Sequence, residues 1–319
     1  MSLTALLPSN IIRKLAATLT IITLAAVTPM VSQADEKYAS IVVDMETGQV
    51  LHSRYADSPR YPASITKVMT LYMVFDALDN GELTLTERLP VSREAAMAPP
   101  SKLGLAPGST ISVEDAILAL VTKSANDVAR VLGERLGGSE SRFAALMTVK
   151  ARALDMNNTR FYNASGLPDA RQVTTARDLS KLATRMMEDH GDYYRYFSTK
   201  SFTYNSRNYG NHNRLLGTVE GVDGIKTGYT NASGYNLMAS AVRQDRRVIA
   251  IMLGGATSKA RNDHVTDLLE AAFTAIAATA PSAPDLRTRI AFQQVQEPGA
   301  DTASILASNV QLEQGSAAE

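Results

Sequence analysis

The spacing of apolar and polar positions changes several times along the chain, and each change predicts an element. Ala39-Ser40-Ile41-Val42-Val43-Asp44 is rich in β-branched side chains, and Gln49-Val50-Leu51-His52-Ser53 alternates polar with apolar. With Met45-Glu46-Thr47-Gly48 as a tight turn, these segments predict a β-hairpin. Tyr61-Pro62-Ala63 breaks the extended run. From Ser64 to Leu78 the apolar positions Val68, Leu71, Tyr72, Phe75 and Leu78 recur at three- and four-residue spacing, which predicts a helix closed by Asn80-Gly81. Residues 84–112, which contain Pro90, Pro99, Pro100, Pro107 and Gly108, read as loop with short strands. Helical spacing resumes from Val113 to about Asp155, split into two helices at Gly137-Gly138, and again over Thr175–Met187. Asn205–Asn213 reads as a polar loop. Three β-like runs follow at Val222–Gly228, Tyr235–Val242 and Val248–Leu253, separated by turns at 231–234 and 244–246, and a helix over about 260–278 ends the series.

Hairpin-length connections within each strand group imply antiparallel pairing. The predicted fold class is therefore α+β: an antiparallel five-stranded sheet built from both ends of the chain, with flanking helices and an inserted helical subdomain. Residues 281–319, poor in large apolar side chains, are expected to form a flexible tail. No internal repeat is evident.

The N-terminus changes the picture of compartment. Arg13 and Lys14 precede an apolar run from Leu15 to Val27, the length of a signal-peptide core and too short to span a bilayer. Ser32-Gln33-Ala34 supplies small residues for cleavage, so residues 1–34 are expected to be a signal peptide and 35–280 the folded domain. The alternative is a retained membrane anchor; either exports the domain to the periplasm. The 319-residue chain balances 32 Lys and Arg against 32 Asp and Glu, which gives no electrostatic case for nucleic acid binding. Cysteine is absent, which excludes thiol catalysis and disulfides. The four histidines, His52, His190, His212 and His264, show no paired metal-ligand spacing.

Three short motifs carry candidate chemistry. In Ser64-Ile65-Thr66-Lys67 a helix would place the two polar side chains on one face, so that the Lys67 amine reaches the Ser64 hydroxyl. A serine needs such a base, and a lysine acts as one only when burial or a neighbouring cation lowers its pKa. Ser124-Ala125-Asn126, in the helical block, offers a hydroxyl for proton relay and an amide for hydrogen bonding a substrate. Lys226-Thr227-Gly228 opens a β-run and offers a carboxylate site beside a residue without Cβ, which a ligand backbone can approach closely. Each alone also fits an ordinary structural reading: a charged helix face, a polar helical turn, a strand end with a turn glycine. Their order and element context match the motif set of penicillin-binding proteins and serine β-lactamases.

The local wording goes further. Residues 62–70 (Pro-Ala-Ser-Ile-Thr-Lys-Val-Met-Thr), Ser124-Ala125-Asn126-Asp127, residues 221–228 and residues 231–237 resemble the low-molecular-mass penicillin-binding D-alanyl-D-alanine carboxypeptidases over about residues 38–278. That resemblance implies Ser64 as acylated nucleophile, Lys67 as general base, and Ser124 and Asn126 as the proton and substrate network. Lys226 and Thr227 would bind the substrate's terminal carboxylate, with Lys226 also depressing the pKa of Lys67. The N–H groups of Ser64 and Tyr229, the latter directly after Gly228, would form an oxyanion hole. Arg261 matches an arginine near the carboxylate, although a solvated charge on the last helix explains it equally well. The implied substrate is a peptidoglycan stem peptide, β-lactams are the implied inhibitors, and no metal or organic cofactor is implied.

Many family members carry a further β-rich domain and a C-terminal amphipathic membrane helix. The forty or so residues after the last predicted helix lack that pattern, so membrane association is expected only if the signal segment is retained. A D,D-endopeptidase cutting crosslinks would share all three motifs. A β-lactamase of the glutamate-assisted class is disfavoured, because residues 155–180 contain Asn157, Asn158 and Asn163 but no Glu. A non-catalytic β-lactam- or peptidoglycan-binding domain is disfavoured by the intact motifs.

Overall fold

A computed structural model of the chain describes residues 36–278. The expected signal segment and tail lie outside these residues.

The chain enters through the predicted hairpin, β1 (Ala39–Asp44) and β2 (Val50–Arg54). A 3-10 turn at Ala63–Ile65 leads into α1 (Thr66–Asp79). The Pro/Gly-rich stretch forms β3 (Arg88–Pro90), a single turn α2 (Arg93–Ala96) and β4 (Thr110–Ser112). The helical block contains three helices rather than the two expected: α3 (Val113–Val121), α4 (Asn126–Gly137) and α5 (Glu140–Ala153). The additional break falls at residues 122–125, where Ser124 adopts φ +59°. Its flanks are apolar at helical spacing, so periodicity alone hides it.

α6 (Ala176–Asp189) starts where the Thr175 hydroxyl accepts the Asp178 N–H. A short turn α7 (Gly191–Tyr194) follows. The stretch expected as a polar loop contains a strand: β5 (Ser201–Tyr204) pairs with β6 (Arg207–Gly210) around Asn205-Ser206, both at positive φ. Polar side chains on both faces of so short a hairpin give no alternation to read. β7 (Val222–Thr230), β8 (Gly234–Arg243), β9 (Arg246–Gly255) and α8 (Ser258–Ala278) complete the fold.

The five-stranded sheet runs β2-β1-β9-β8-β7, with every neighbouring pair antiparallel. It joins both ends of the described chain, as expected. Its centre is buried on two sides, and β9 makes the pattern explicit. Ile249, Ile251 and Leu253 enter the core under the helical subdomain, while Val248, Ala250 and Met252 enter the core under α8. A strand covered on both faces is apolar at every position. α1 is enclosed on nearly all sides, with Val68, Leu71, Val74 and Phe75 fully buried. Each such side chain contributes roughly 1.5–3 kcal/mol of apolar burial, which makes α1 a rigid support for what its first turn carries. No helix among the described residues is long and apolar enough to cross a membrane.

Candidate active site

Ser64 lies in the 3-10 turn one step before α1, and Lys67 is the second residue of that helix. Lys67 is 0% exposed. Its Nζ lies 3.1 Å from Ser64 Oγ, 2.8 Å from Asn126 Oδ1 and 2.6 Å from the Ser165 carbonyl. None of these partners is a carboxylate. Burial, and secondly the nearby Lys226, hold the amine well below the ordinary lysine range. A buried ammonium without a counter-ion costs several kcal/mol, so the neutral amine is favoured. A neutral amine has two N–H groups and one lone pair. Asn126 Oδ1 and the Ser165 carbonyl can only accept, so they take the two N–H groups. The lone pair is left to Ser64, the one partner with a proton to give. The arrangement thus turns the Ser64 O–H toward a base.

Three further segments hold this geometry. Asn126 Nδ2 donates to the Pro99 carbonyl at 2.9 Å, which fixes Oδ1 toward Lys67. Asn163 Oδ1 accepts the N–H groups of Ser165, Gly166 and Leu167, shaping the loop that offers the Ser165 carbonyl. Gly166 has φ +84°, and a Cβ there would fall 1.8 Å from the Ala63 carbonyl oxygen, so only glycine lets this loop meet the nucleophile's turn. Asn236 is buried in β8; its Nδ2 donates to the Tyr61 and Pro62 carbonyls and its Oδ1 accepts from Gly254 N–H. Neither Asn163 nor Asn236 has a role in the sequence reading. A polar residue set between Tyr235 and Leu237 in an apolar strand is the signal that marks Asn236.

The structure gathers the other predicted residues around this centre. Ser124 sits in the connection between α3 and α4 and not on a helical turn, and its buried hydroxyl has no hydrogen-bond partner among the described residues. Leaving such a group unsatisfied costs about 1–3 kcal/mol, and left-handed backbone at a serine adds strain. Lys226, Thr227 and Gly228 lie in the middle of β7, not at its start. Among the described residues Lys226 Nζ donates only to the Thr227 carbonyl, at 2.9 Å; burial and then Arg261 push its pKa down to about 7. A Cβ on Gly228 would lie 3.0 Å from Ser64 N and 3.1 Å from the Pro62 carbonyl oxygen. The close approach that requires glycine is therefore between β7 and the chain's own nucleophile turn. Tyr229 follows, half exposed, its ring against Tyr235.

Arg261 is not a solvated charge. It is buried at the start of α8, where Nη1 donates to the Asn236 carbonyl at 3.1 Å and Nε and Nη2 donate to Asn262 Oδ1. Burial lowers its pKa to about 10. His212 is exposed in area, yet desolvation of its ring, and then Lys226, Lys123, Arg214 and Lys67, push it down to about 4. The site thus gathers basic groups with lowered pKa values beside β7. Among the described residues β7 is an edge strand that pairs on one side only, and an edge of this kind can take an extended peptide as a further strand.

The profile of the D-alanyl-D-alanine carboxypeptidase family, Peptidase S11, matches residues 26–257. The D-alanyl-D-alanine carboxypeptidase DacC of Escherichia coli is 36% identical over 254 residues, covering 77% of this chain and 64% of the relative. A D-alanyl-D-alanine endopeptidase of the same organism is 31% identical over 230 residues, covering 67% of this chain and 70% of the relative. Among solved structures, penicillin-binding protein D2 of Listeria monocytogenes in its cefotaxime-bound form superposes with a TM-score of 0.68 at 35% identity, covering 74% of this chain and 96% of that one. The chain spans less than two thirds of the length of the carboxypeptidases it matches. With this fold and these matches, the chain belongs to the D-alanyl-D-alanine carboxypeptidase family.

Proposed function

We propose that the chain is a periplasmic serine D,D-carboxypeptidase that removes the terminal D-alanine from peptidoglycan stem peptides. The observation that carries this reading is the placement of Lys67 Nζ, buried and without a carboxylate partner, between Ser64 Oγ and Asn126 Oδ1. Ser64 Oγ attacks the carbonyl between the two D-alanines while its proton passes to Lys67. The oxyanion is held by the Ser64 and Tyr229 N–H groups. The proton travels from Lys67 through the Ser124 hydroxyl to the leaving amine, the C–N bond breaks, and D-alanine departs. Water then hydrolyses the Ser64 ester.

Lys226 and Arg261 supply the positive surroundings that a terminal carboxylate needs, the Thr227 hydroxyl offers it a hydrogen bond, and Asn126 hydrogen-bonds a substrate amide. The buried, unpartnered Ser124 hydroxyl supports a role in relay, since its missing partner is then the reacting amine. A β-lactam presents the same acyl carbonyl and carboxylate and would be held as a Ser64 ester. Export is supported by the apolar run of residues 15–27 behind Arg13 and Lys14, with residues 1–34 as signal peptide and 281–319 as a tail following the catalytic domain.

The test is release of free D-alanine from a stem pentapeptide ending in D-Ala-D-Ala, with Ser64→Ala as control. Ser64-dependent release supports the reading. A folded protein that takes up penicillin at Ser64 but cuts only crosslinked dimers would be an endopeptidase instead.

A further inference from the structure

Near Ser124-Ala125-Asn126 lies a cavity of about 530 Å³ that none of the residues around Ser64 lines. One wall is the loop Leu103-Gly104-Leu105, the other the β5–β6 hairpin, and Arg88 closes one side. The hairpin register pairs Tyr204 with Arg207 and Phe202 with Tyr209, so these four side chains share one face. Arg207 is exposed, and its guanidinium makes no hydrogen bond or ion pair among the described residues. Arg88 donates to Thr110 through Nε and Nη2, and Nη1 makes no hydrogen bond among the described residues. The two nearby acids are occupied elsewhere. Asp127 accepts the N–H groups of Leu103, Gly104 and Leu105, and Asp115 accepts the Ser112 hydroxyl. The cavity therefore combines uncommitted guanidinium donors with tyrosine rings.

Both walls are tied to the residues that carry the reaction. Asp127, next to Asn126, fixes the Leu103–Leu105 wall, and Asn126 N donates to the Ser101 carbonyl at 2.7 Å. Lys123, next to Ser124, places its Nζ 5.7 Å from the Tyr209 ring centre, and its carbonyl accepts the Ser101 hydroxyl. At roughly 3.5 Å per residue, Leu105 lies within about 14 Å of Ser101, a span that a few substrate residues cover.

We propose that this cavity is a remote substrate subsite that binds a carboxylate-bearing segment of the cell-wall peptide, upstream of the scissile bond, with Arg207 as its principal anion ligand and Arg88 as its second. Guanidinium groups match carboxylates in a planar fork, and the tyrosines cover the adjoining peptide. The proposal rests on the carboxypeptidase reading and deepens it: the enzyme holds its substrate at two points and distinguishes an acidic stem peptide from a bare D-Ala-D-Ala end.

The experiment compares purified full chain with its Arg207→Ala variant on two substrates. One is a stem pentapeptide with a free internal carboxylate, and the other is diacetyl-lysyl-D-Ala-D-Ala, which has none. For the pentapeptide, Arg207→Ala should raise KM about ten-fold with kcat nearly unchanged, the loss expected for one charge-assisted contact. The short substrate and the rate of acylation by penicillin should not change. Amidating the pentapeptide's internal carboxylate should reproduce the loss with the unsubstituted protein. An unchanged KM for the pentapeptide, an equal loss on both substrates, or no discrimination between acid and amide overturns the proposal. Should neither substrate be cleaved, the carboxypeptidase reading fails. The subsite is then judged by calorimetric binding of acid and amide pentapeptides to the Ser64→Ala protein: preference for the acid that Arg207→Ala abolishes sustains it, and equal binding overturns it.

Discussion

Gly228 of β7 lies against the backbone nitrogen of Ser64, so near that a Cβ at 228 would stand 3.0 Å from that atom and 3.2 Å from Ala63 Cβ. Strand and nucleophile turn are thus packed at their closest where the proposed oxyanion donors meet. Gly228→Ala should push the two apart by a few tenths of an ångström without unfolding either. The expected result is a fall of about 10²-fold in the rate of penicillin acylation, in line with loss of an oxyanion donor or a small misplacement of reacting groups. Thermal stability should fall only slightly. Acylation kinetics beside a melting curve measure both, and an unchanged acylation rate would remove the oxyanion role from this junction.

Ser124 separates function from stability in the opposite sense. Its hydroxyl is buried with no hydrogen-bond partner among the described residues, and its φ is +59°. Ser124→Ala removes an unsatisfied polar atom, so the variant should be as stable as the parent or more so by up to about 1 kcal/mol. Turnover should nevertheless fall about 10²- to 10⁴-fold, the range of a lost proton-transfer group. Denaturant unfolding and D-alanine release, measured on the same preparation, check the pair. A variant that loses stability along with activity would make Ser124 a structural residue.

The sheet was legible in the sequence because its interior strands are largely apolar and their turns carry Gly, Asn and Asp. The three motifs were legible as residue types, since Ser64, Asn126 and Lys226, one residue from each, lie around the buried amine of Lys67. What periodicity concealed is how they converge. The break at residues 122–125 lies between two apolar helical patterns, so Ser124 reads as helix although it occupies a left-handed corner. Arg261 reads as solvated because a charge in the first turn of a terminal helix usually is; here the Asn236 carbonyl and the Asn262 side chain hold it inside. Asn163 works through the loop N–H groups it collects, which no spacing rule encodes.

The charge of Lys226 acts on the Lys67 amine, and the pH profile should reveal it. Burial first and Lys226 second lower the Lys67 pKa, and Lys226 itself sits at about 7. Acylation requires neutral Lys67, so its rate should fall as pH drops through the Lys67 pKa. Lys226→Gln removes the neighbouring charge, which raises the Lys67 pKa and moves the acid limb of the profile to higher pH. The plateau should fall as well, because a carboxylate anchor is lost. Penicillin acylation measured across pH 4–9 separates the two effects: the limb reports on Lys67 and the plateau on substrate anchoring. A lower plateau with an unmoved limb would mean that Lys226 acts on the ligand alone.

Away from the cleft, His190 ties α6 to α1. Its ring is buried, with Nδ1 2.7 Å from Asp79 Oδ2 and Nε2 3.3 Å from Asp76 Oδ1, out of line for a hydrogen bond, and it stands edge-on to Tyr72 at 4.6 Å. Burial disfavours the charged ring, but the carboxylates of Asp76 and Asp79 beside it outweigh that and raise the pKa above 6.5. A group whose folded pKa is raised contributes stability that is fully present below the unfolded value of about 6.5 and is lost as pH rises through the folded value. His190→Gln should therefore destabilise the protein most near pH 5, by about 2–3 kcal/mol for a lost charge-assisted bond plus ring contacts. The difference between parent and variant should narrow steadily above pH 7, where only the ring's packing and neutral hydrogen bonds remain. Urea unfolding at pH 5, 6, 7 and 8 measures this difference directly. A gap that stays constant across that range would mean that His190 is neutral throughout and holds the helices by packing alone.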